Sequence, residues 1–208
     1  MSLAGALGEL LLDIETHATA SPNEQIAAAV LVPLFQDGTG DLRVVLTKRR
    51  ADLRRHAGEI SFPGGRQDPL DANLAETALR ETEEEIGLAR DDLTIVGALG
   101  RTSTFATNYA IHPFVALLDD QGSRGSLIGG EPTDRDWRPS EREVEMVVEP
   151  TLASLRSARG RTTIERRGFV FETDAYLFDG QVVWGATARI VEELLARVGG
   201  LLDRRAGV

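Results

Sequence analysis

Hydrophobic and polar positions alternate along this chain with two different periods. Leu3, Leu7, Leu10, Leu11 and Ile14 recur at helical spacing. They predict an amphipathic helix over residues 3–17, packed on the domain or on a partner subunit. Ser21-Pro22-Asn23 ends it. Residues 26–35, with AAAVLVPLF inside them, predict a buried strand, and Asp37-Gly38-Thr39-Gly40 a turn. Residues 42–47 predict a second strand, so the pair reads as a hairpin. A strand end at 60–62 breaks into a loop at Pro63-Gly64-Gly65. The chain resumes as a helix over residues 73–86, and Gly87 suits its C-cap.

Beyond that helix, residues 93–99 and 109–118 read as strands. Residues 119–140 are rich in Gly, Asp, Ser and Pro and predict a mobile loop. Trp137 lies in that loop, where stacking on a base and pinning the loop to the surface are both open readings. A strand at 143–148 and a short helix at 151–158 follow. Residues 161–165 and 169–177 pair across a turn at Arg167-Gly168, and Asp179-Gly180 turns the chain into a strand at 182–184. Ile190, Leu194, Leu195 and Val198 predict a final helix over 186–198. The pattern is α/β, a mixed sheet with helices on both faces. Residues 1–22 read as an N-terminal helical extension and 23–200 as one domain.

The helix at 73–86 carries the candidate chemistry. Its run Arg80-Glu81-Thr82-Glu83-Glu84-Glu85 crowds four carboxylates into six residues. At roughly 100° per residue, Glu84 and Glu85 lie within about 60° of Glu81, so the three share one face. Ala75, Leu79, Thr82 and Ile86 fall on the opposite, core-facing side. Glu76 is spaced for an i,i+4 ion pair with Arg80, and Arg80 also reaches Glu84. A solvated acidic face would show the same run. Three carboxylates beside a Gly-Gly loop also suit a hard divalent cation such as Mg²⁺ or Mn²⁺. Upstream, Arg49, Arg50, Arg54 and Arg55 form a basic cluster, either balancing nearby acids or meeting substrate phosphates.

The order Gly64-Gly65, Arg80-Glu81, Glu84-Glu85, Gly87 resembles the Nudix box of the Nudix hydrolases, which hold divalent metal on a diphosphate linked to another moiety. The chain departs from the box in two ways. Asp71 stands where the box has Glu, and the spacing from Gly65 to Arg80 is one residue longer. The stretch from Leu46 to Gly65, LTKR followed by GEISFPGG, and Trp184-Gly185-Ala186-Thr187-Ala188-Arg189 resemble the coenzyme A pyrophosphatase subfamily. The resemblance implies a Nudix-like α/β/α sandwich and Glu81, Glu84, Glu85 and the Gly64 carbonyl as metal ligands. It implies Arg80 as the residue that orients Glu84, and Glu143, with Glu141 and Glu145 close by, as a candidate general base. Asp68 and Asp71 read as loop-capping residues. The implied reaction is hydrolysis of coenzyme A or its thioesters to 3′,5′-ADP and 4′-phosphopantetheine. A pyrophosphatase acting on ADP-ribose or another nucleoside diphosphate derivative is the alternative. A non-catalytic nucleotide-binding regulator is a third reading.

Composition narrows the partners. The net charge of −10 argues against a broad nucleic-acid or anionic-membrane surface. It leaves room for a small anionic diphosphate substrate, because bound metal reverses the local sign. There is no cysteine, which excludes thiolate sites and a Cys nucleophile and fits a reducing, cytoplasmic setting. The N-terminus lacks the features of a secretory signal, and the apolar run at 26–35 is too short to span a bilayer. A homodimer is compatible with the apolar N-terminal stripe.

Overall fold

In the computed structural model the described residues are 2–19, 25–53, 56–104, 108–119, 135, 137–166 and 168–205. The structure is organised on β1 (Ile26–Gln36), whose near-continuous apolar run is buried on both faces, as expected of a central strand. On one side β1 pairs in parallel with β8 (Tyr109–Leu118), from Ile26 opposite Tyr109 to Leu34 opposite Leu117. On its other side two short strands lie end to end, both antiparallel. These are β2 (Leu42–Val44), with Leu34 opposite Val44, and β5 (Gly64–Arg66), with Ala29 opposite Gly65. β6 (Leu93–Ala98) and β7 (Thr102–Ser103) complete this mixed sheet along β8.

Two three-stranded antiparallel sheets extend the architecture. One has the order β4 (Ile60–Ser61), β3 (Leu46–Arg49), β9 (Val144–Val148). The other has the order β10 (Arg159–Arg166), β11 (Phe169–Phe178), β12 (Gln181–Trp184).

Strand alternation separates the two faces of the main sheet. Ala29 and Leu31 of β1 join Phe114 and Ala116 of β8 in a cluster under α3 (Leu74–Ile86), where they meet Leu74, Ala75 and Ala78. Val32 and Leu34 point the other way. They meet Val115, Leu152 and Leu155 of α4 (Leu152–Ser157), and Ile190, Val191, Leu194 and Val198 of α5 (Gly185–Arg205). The result is an α/β/α sandwich, as the hydrophobic pattern predicts. Within α3, Thr82 and Ile86 are fully buried and Ala75 nearly so. Trp137 donates from Nε1 to Glu149 Oε1 at 2.6 Å and packs on the cluster of Phe35, Val45, Ile86 and Leu118, so it pins its segment to the core.

The structure corrects several sequence expectations. The helix expected over 3–17 is two short ones, α1 (Leu3–Gly8) and α2 (Ile14–His17). Leu12 leaves the helix to exchange backbone hydrogen bonds with Ala98 of β6, and Asp13 caps α2. The strand expected over 42–47 is divided at Val45, whose N–H turns to Pro33 O at 3.0 Å. That turn sends β3 into the second sheet. The expected loop at Gly64-Gly65 is strand β5. Most of the expected loop at 119–140, namely 120–134 and 136, lies outside the described residues.

Leu7 of α1 is fully buried in the main cluster. Leu7→Ala is therefore expected to lower unfolding free energy by about 3 kcal/mol. The urea midpoint measures this; a change within error would detach α1 from the core.

Candidate active site

The candidate site forms where α3 lies on β5. Asn73 starts the helix, its side chain accepting from the Glu76 N–H at 3.0 Å. Gly87 ends it in the left-handed conformation, φ 70°. Between these caps, Glu81 sits over β5, and only glycine fits beneath it. A Cβ on Gly65 would lie 2.5 Å from the Glu81 carboxyl carbon, and one on Gly64 would lie 2.3 Å from Ala29 O. In the antiparallel register of β1 and β5, hydrogen bonds fall on Leu31–Pro63 and Gln67–Ala27. The amide and carbonyl of Gly64 therefore point away from β1, towards the open edge of β5.

Glu81, Glu84 and Glu85 share one side of α3 but not one environment. The Glu84 side chain is 62% exposed, Glu81 20% and Glu85 6%. Each is neutralised by an arginine. Arg80 reaches Glu81 Oε1 at 2.9 Å and Glu84 Oε1 at 3.3 Å. Arg49, from β3, places Nη1 3.4 Å from Glu85 Oε1 and Nη2 3.1 Å from Glu143 Oε2. Burial pushes the Glu85 carboxyl up to about 8, and Glu81 and Glu143 add to that. Arg49 and the Gly64 amide oppose it. Burial also raises Glu81, against the pull of Arg80.

Among the described residues, no group of three or more His, Cys, Asp or Glu side chains stands in metal-holding geometry. The carboxylates are divided between two arginines. The donor set nonetheless fits a hard divalent cation. All its atoms are oxygens, and Glu85 Oε2 is buried with no hydrogen-bond partner among the described residues. An unsatisfied buried carboxylate oxygen is costly, and a cation would satisfy it.

The structure separates the candidate arginines. Arg49 enters the carboxylate group. Arg50 turns away, gripping Asp52 at 2.9 and 2.8 Å and the Glu141 carbonyl at 3.0 Å. Arg54 and Arg55 lie outside the described residues. Glu143 is brought to the site through Arg49. The expected Glu76–Arg80 pair is replaced by Glu76–Arg90 at 2.8 Å, because Arg80 is held elsewhere.

What holds Arg80 is Asp71. Its carboxylate accepts from Arg80 Nε at 2.9 Å and from Nη2 at 3.0 Å, and also takes the Thr77 hydroxyl and the Asp68 N–H. Loop capping, expected for Asp68 and Asp71, is only half of this role. Asp71 is also the clamp that fixes Arg80 between Glu81 and Glu84. Nine residues of separation match no helical spacing, so periodicity carries no sign of the pair. The Arg80 guanidinium holds the Asp71 carboxyl down at about 2.

An acidic helix face lying over a glycine strand, with arginines at its borders, is suited to binding a hard cation together with an anionic ligand. Residues 25–161 match the NUDIX domain family. An uncharacterized Nudix hydrolase, NudL, of Cronobacter sakazakii is 36% identical over 188 residues, covering 89% of this chain and 90% of that protein. NudL of Salmonella typhimurium is 33% identical over 193 residues, covering 92% and 91%. Among solved structures, the NUDIX domain of Shewanella oneidensis NrtR, complexed with ADP ribose, superposes with a TM-score of 0.53 at 16% identity. It covers 95% of this chain and 99% of that one, a likeness of fold. The chain belongs to the Nudix family and is a Nudix hydrolase, an enzyme acting on diphosphate bonds.

Asp71 supplies a pH test. Its carboxyl lies below the ordinary value of 3.8, at about 2, so the native state favours the ionised form. That stability is present above the unfolded value and is lost as pH falls through the native one. Asp71→Asn is expected to be less stable than wild type at neutral pH by on the order of 2 kcal/mol. The gap should close between about pH 4 and pH 2. Urea unfolding at stepped pH measures it, and a gap that does not change with pH would refute the clamp.

Proposed function

We propose that this Nudix hydrolase cleaves the diphosphate bond of coenzyme A or its thioesters in the cytoplasm. Water attacks one phosphorus, the bridging P–O bond breaks, and the products are 3′,5′-ADP and 4′-phosphopantetheine. The observation that carries the reading is Arg49. It comes from the LTKR segment upstream of the box, yet it lies between Glu85 and Glu143. The segment that carries the subfamily resemblance is thus built into the site.

The residues take the following roles. Glu81, Glu84, Glu85 and the Gly64 carbonyl would hold Mg²⁺ or Mn²⁺. A divalent ion there supplies charge neutralisation of the diphosphate and a lowered pKa for water. Arg80, fixed by Asp71, orients Glu81 and Glu84. Glu143, half exposed beside Arg49, accepts the proton of the attacking water. Arg49 leaves its carboxylates to meet the diphosphate oxygens. Contact with the 3′-phosphate then falls to one of Arg50, Arg54 and Arg55, where a charge-assisted bond would contribute about 1.5–3 kcal/mol.

Two measurements test the reading. Glu81→Gln and Glu85→Gln should each lower turnover by more than the roughly 10–100-fold typical of residues behind a metal ligand, with the fold retained by circular dichroism. Near wild-type turnover at saturating Mg²⁺ would refute the metal assignment. For the substrate, kcat/KM is compared for coenzyme A, its 3′-dephospho form and ADP-ribose. A preference for coenzyme A of roughly tenfold or more, largely removed by one of Arg50→Ala, Arg54→Ala or Arg55→Ala, is expected. Equal rates on coenzyme A and its dephospho form overturn the 3′-phosphate contact. A clear preference for ADP-ribose overturns the substrate.

A further inference from the structure

β10 is an edge strand. It pairs with β11 in an unbroken register from Arg159 opposite Tyr176 to Arg166 opposite Phe169, and no described strand pairs with its other side. Leu177 N–H donates to Ala158 O at 2.9 Å. Antiparallel alternation then puts the hydrogen bonds to β11 on 158, 160, 162, 164 and 166. Arg159, Arg161, Thr163 and Glu165 turn their own N–H and C=O groups outward. Their side chains are also the exposed ones in the strand. Proteins usually blunt such an edge with a bulge, a proline or charged side chains; β10 has no bulge, proline or lysine, and the charges it carries on the outward positions are of both signs.

We propose that this edge pairs with β10 of a second copy of the chain, antiparallel about a two-fold axis at Thr163. The order of side chains from Arg161 to Glu165, RTTIE within RGRTTIER, is self-complementary about that point. Thr163 falls opposite Thr163, and Arg161 opposite Glu165, twice. Every residue so paired is one that already turns its backbone groups outward, so the hydrogen-bonding register and the charge register agree. Arg161 also has Glu172 at 3.3 Å and Asp174 at 3.9 Å on its own sheet. The second copy's Glu165 would extend that ladder of alternating charge.

The opposite face supplies apolar cover. Ile164 lies across from Phe171, whose ring centroid is 6.0 Å from that of Trp184. Phe171 is 40% exposed. In the paired register Ile164 faces Thr162 of the second copy and lies diagonal to its Ile164, within reach for side-chain packing. The interface is isologous and closes on itself, so it yields a dimer and not a fibre.

Sedimentation velocity and light scattering on the full chain test this across a concentration series. The expected mass is twice the 22.5 kDa of one chain. Glu165→Arg sets Arg161 against arginine at both contacts, and Arg161→Glu does the same with glutamates. Each variant alone should fall to the single-chain mass, and an equimolar mixture of the two should recover the doubled mass. Thr163→Pro removes an outward N–H without touching the β11 ladder, and should also be monomeric. Wild type at single-chain mass throughout the series would overturn the proposal. So would a dimer that persists in Thr163→Pro and Glu165→Arg, or a mixture that does not reassociate.

Discussion

The close approach of β5 to both β1 and α3 is the constraint on which the rest of this molecule depends. Gly64 has no room for a Cβ against Ala29 and Val30, and Gly65 has none against the Glu81 carboxylate. Small residues on the other surfaces allow the same approach. Ala29, Ala75, Ala78, Ala98 and Ala116 line the cluster between helix and sheet. The helix can therefore lie low on the strand edge and carry its carboxylates directly over backbone. A larger residue at Gly65 would push Glu81 aside, one at Gly64 would drive β5 off β1, and either way the site would lose its floor.

That packing creates an electrostatic problem, which the arginines resolve. Glu85 is buried yet has one oxygen without a hydrogen-bond partner among the described residues, and Glu81 and Glu143 both raise its proton affinity. Arg49 and Arg80 come from different elements and divide the acids between them. Arg80 is immobilised by the two hydrogen bonds it donates to Asp71, whereas Arg49 makes single, longer contacts with two carboxylates and keeps a buried Nε without a described partner. The two guanidinium groups are therefore suited to different tasks. Arg80 is a fixed strut within the site. Arg49 is the one more loosely held by its carboxylates, which is the property the proposed contact with an anionic substrate requires.

Much of this was legible in the amino-acid sequence alone. The α3 helix, its Asn73 start and its Gly87 stop follow from local capping chemistry and a 3.6-residue period, and both are properties of neighbours along the chain. The buried strand β1, its hairpin with β2 and the terminal helix follow from equally local patterns. The face shared by Glu81, Glu84 and Glu85 is a matter of helix geometry. The order of glycines, arginine and glutamates carries the family, because that chemistry needs those residue types at that spacing.

Only tertiary structure decided how those residues are partnered. Leu12 breaks an otherwise good helical pattern because Ala98, far along the chain, offers a strand edge. Val45 divides a strand because its N–H finds Pro33. Glu85 is buried and Glu84 exposed, although both are glutamates on one helix face, because β3 brings Arg49 to the first and nothing described covers the second. Asp71 reaches Arg80 across a loop whose spacing has no period. Helical and strand periods encode which face of an element is apolar. They do not encode which distant element will meet that face, and in this protein those meetings decide which carboxylate is buried and which arginine it faces.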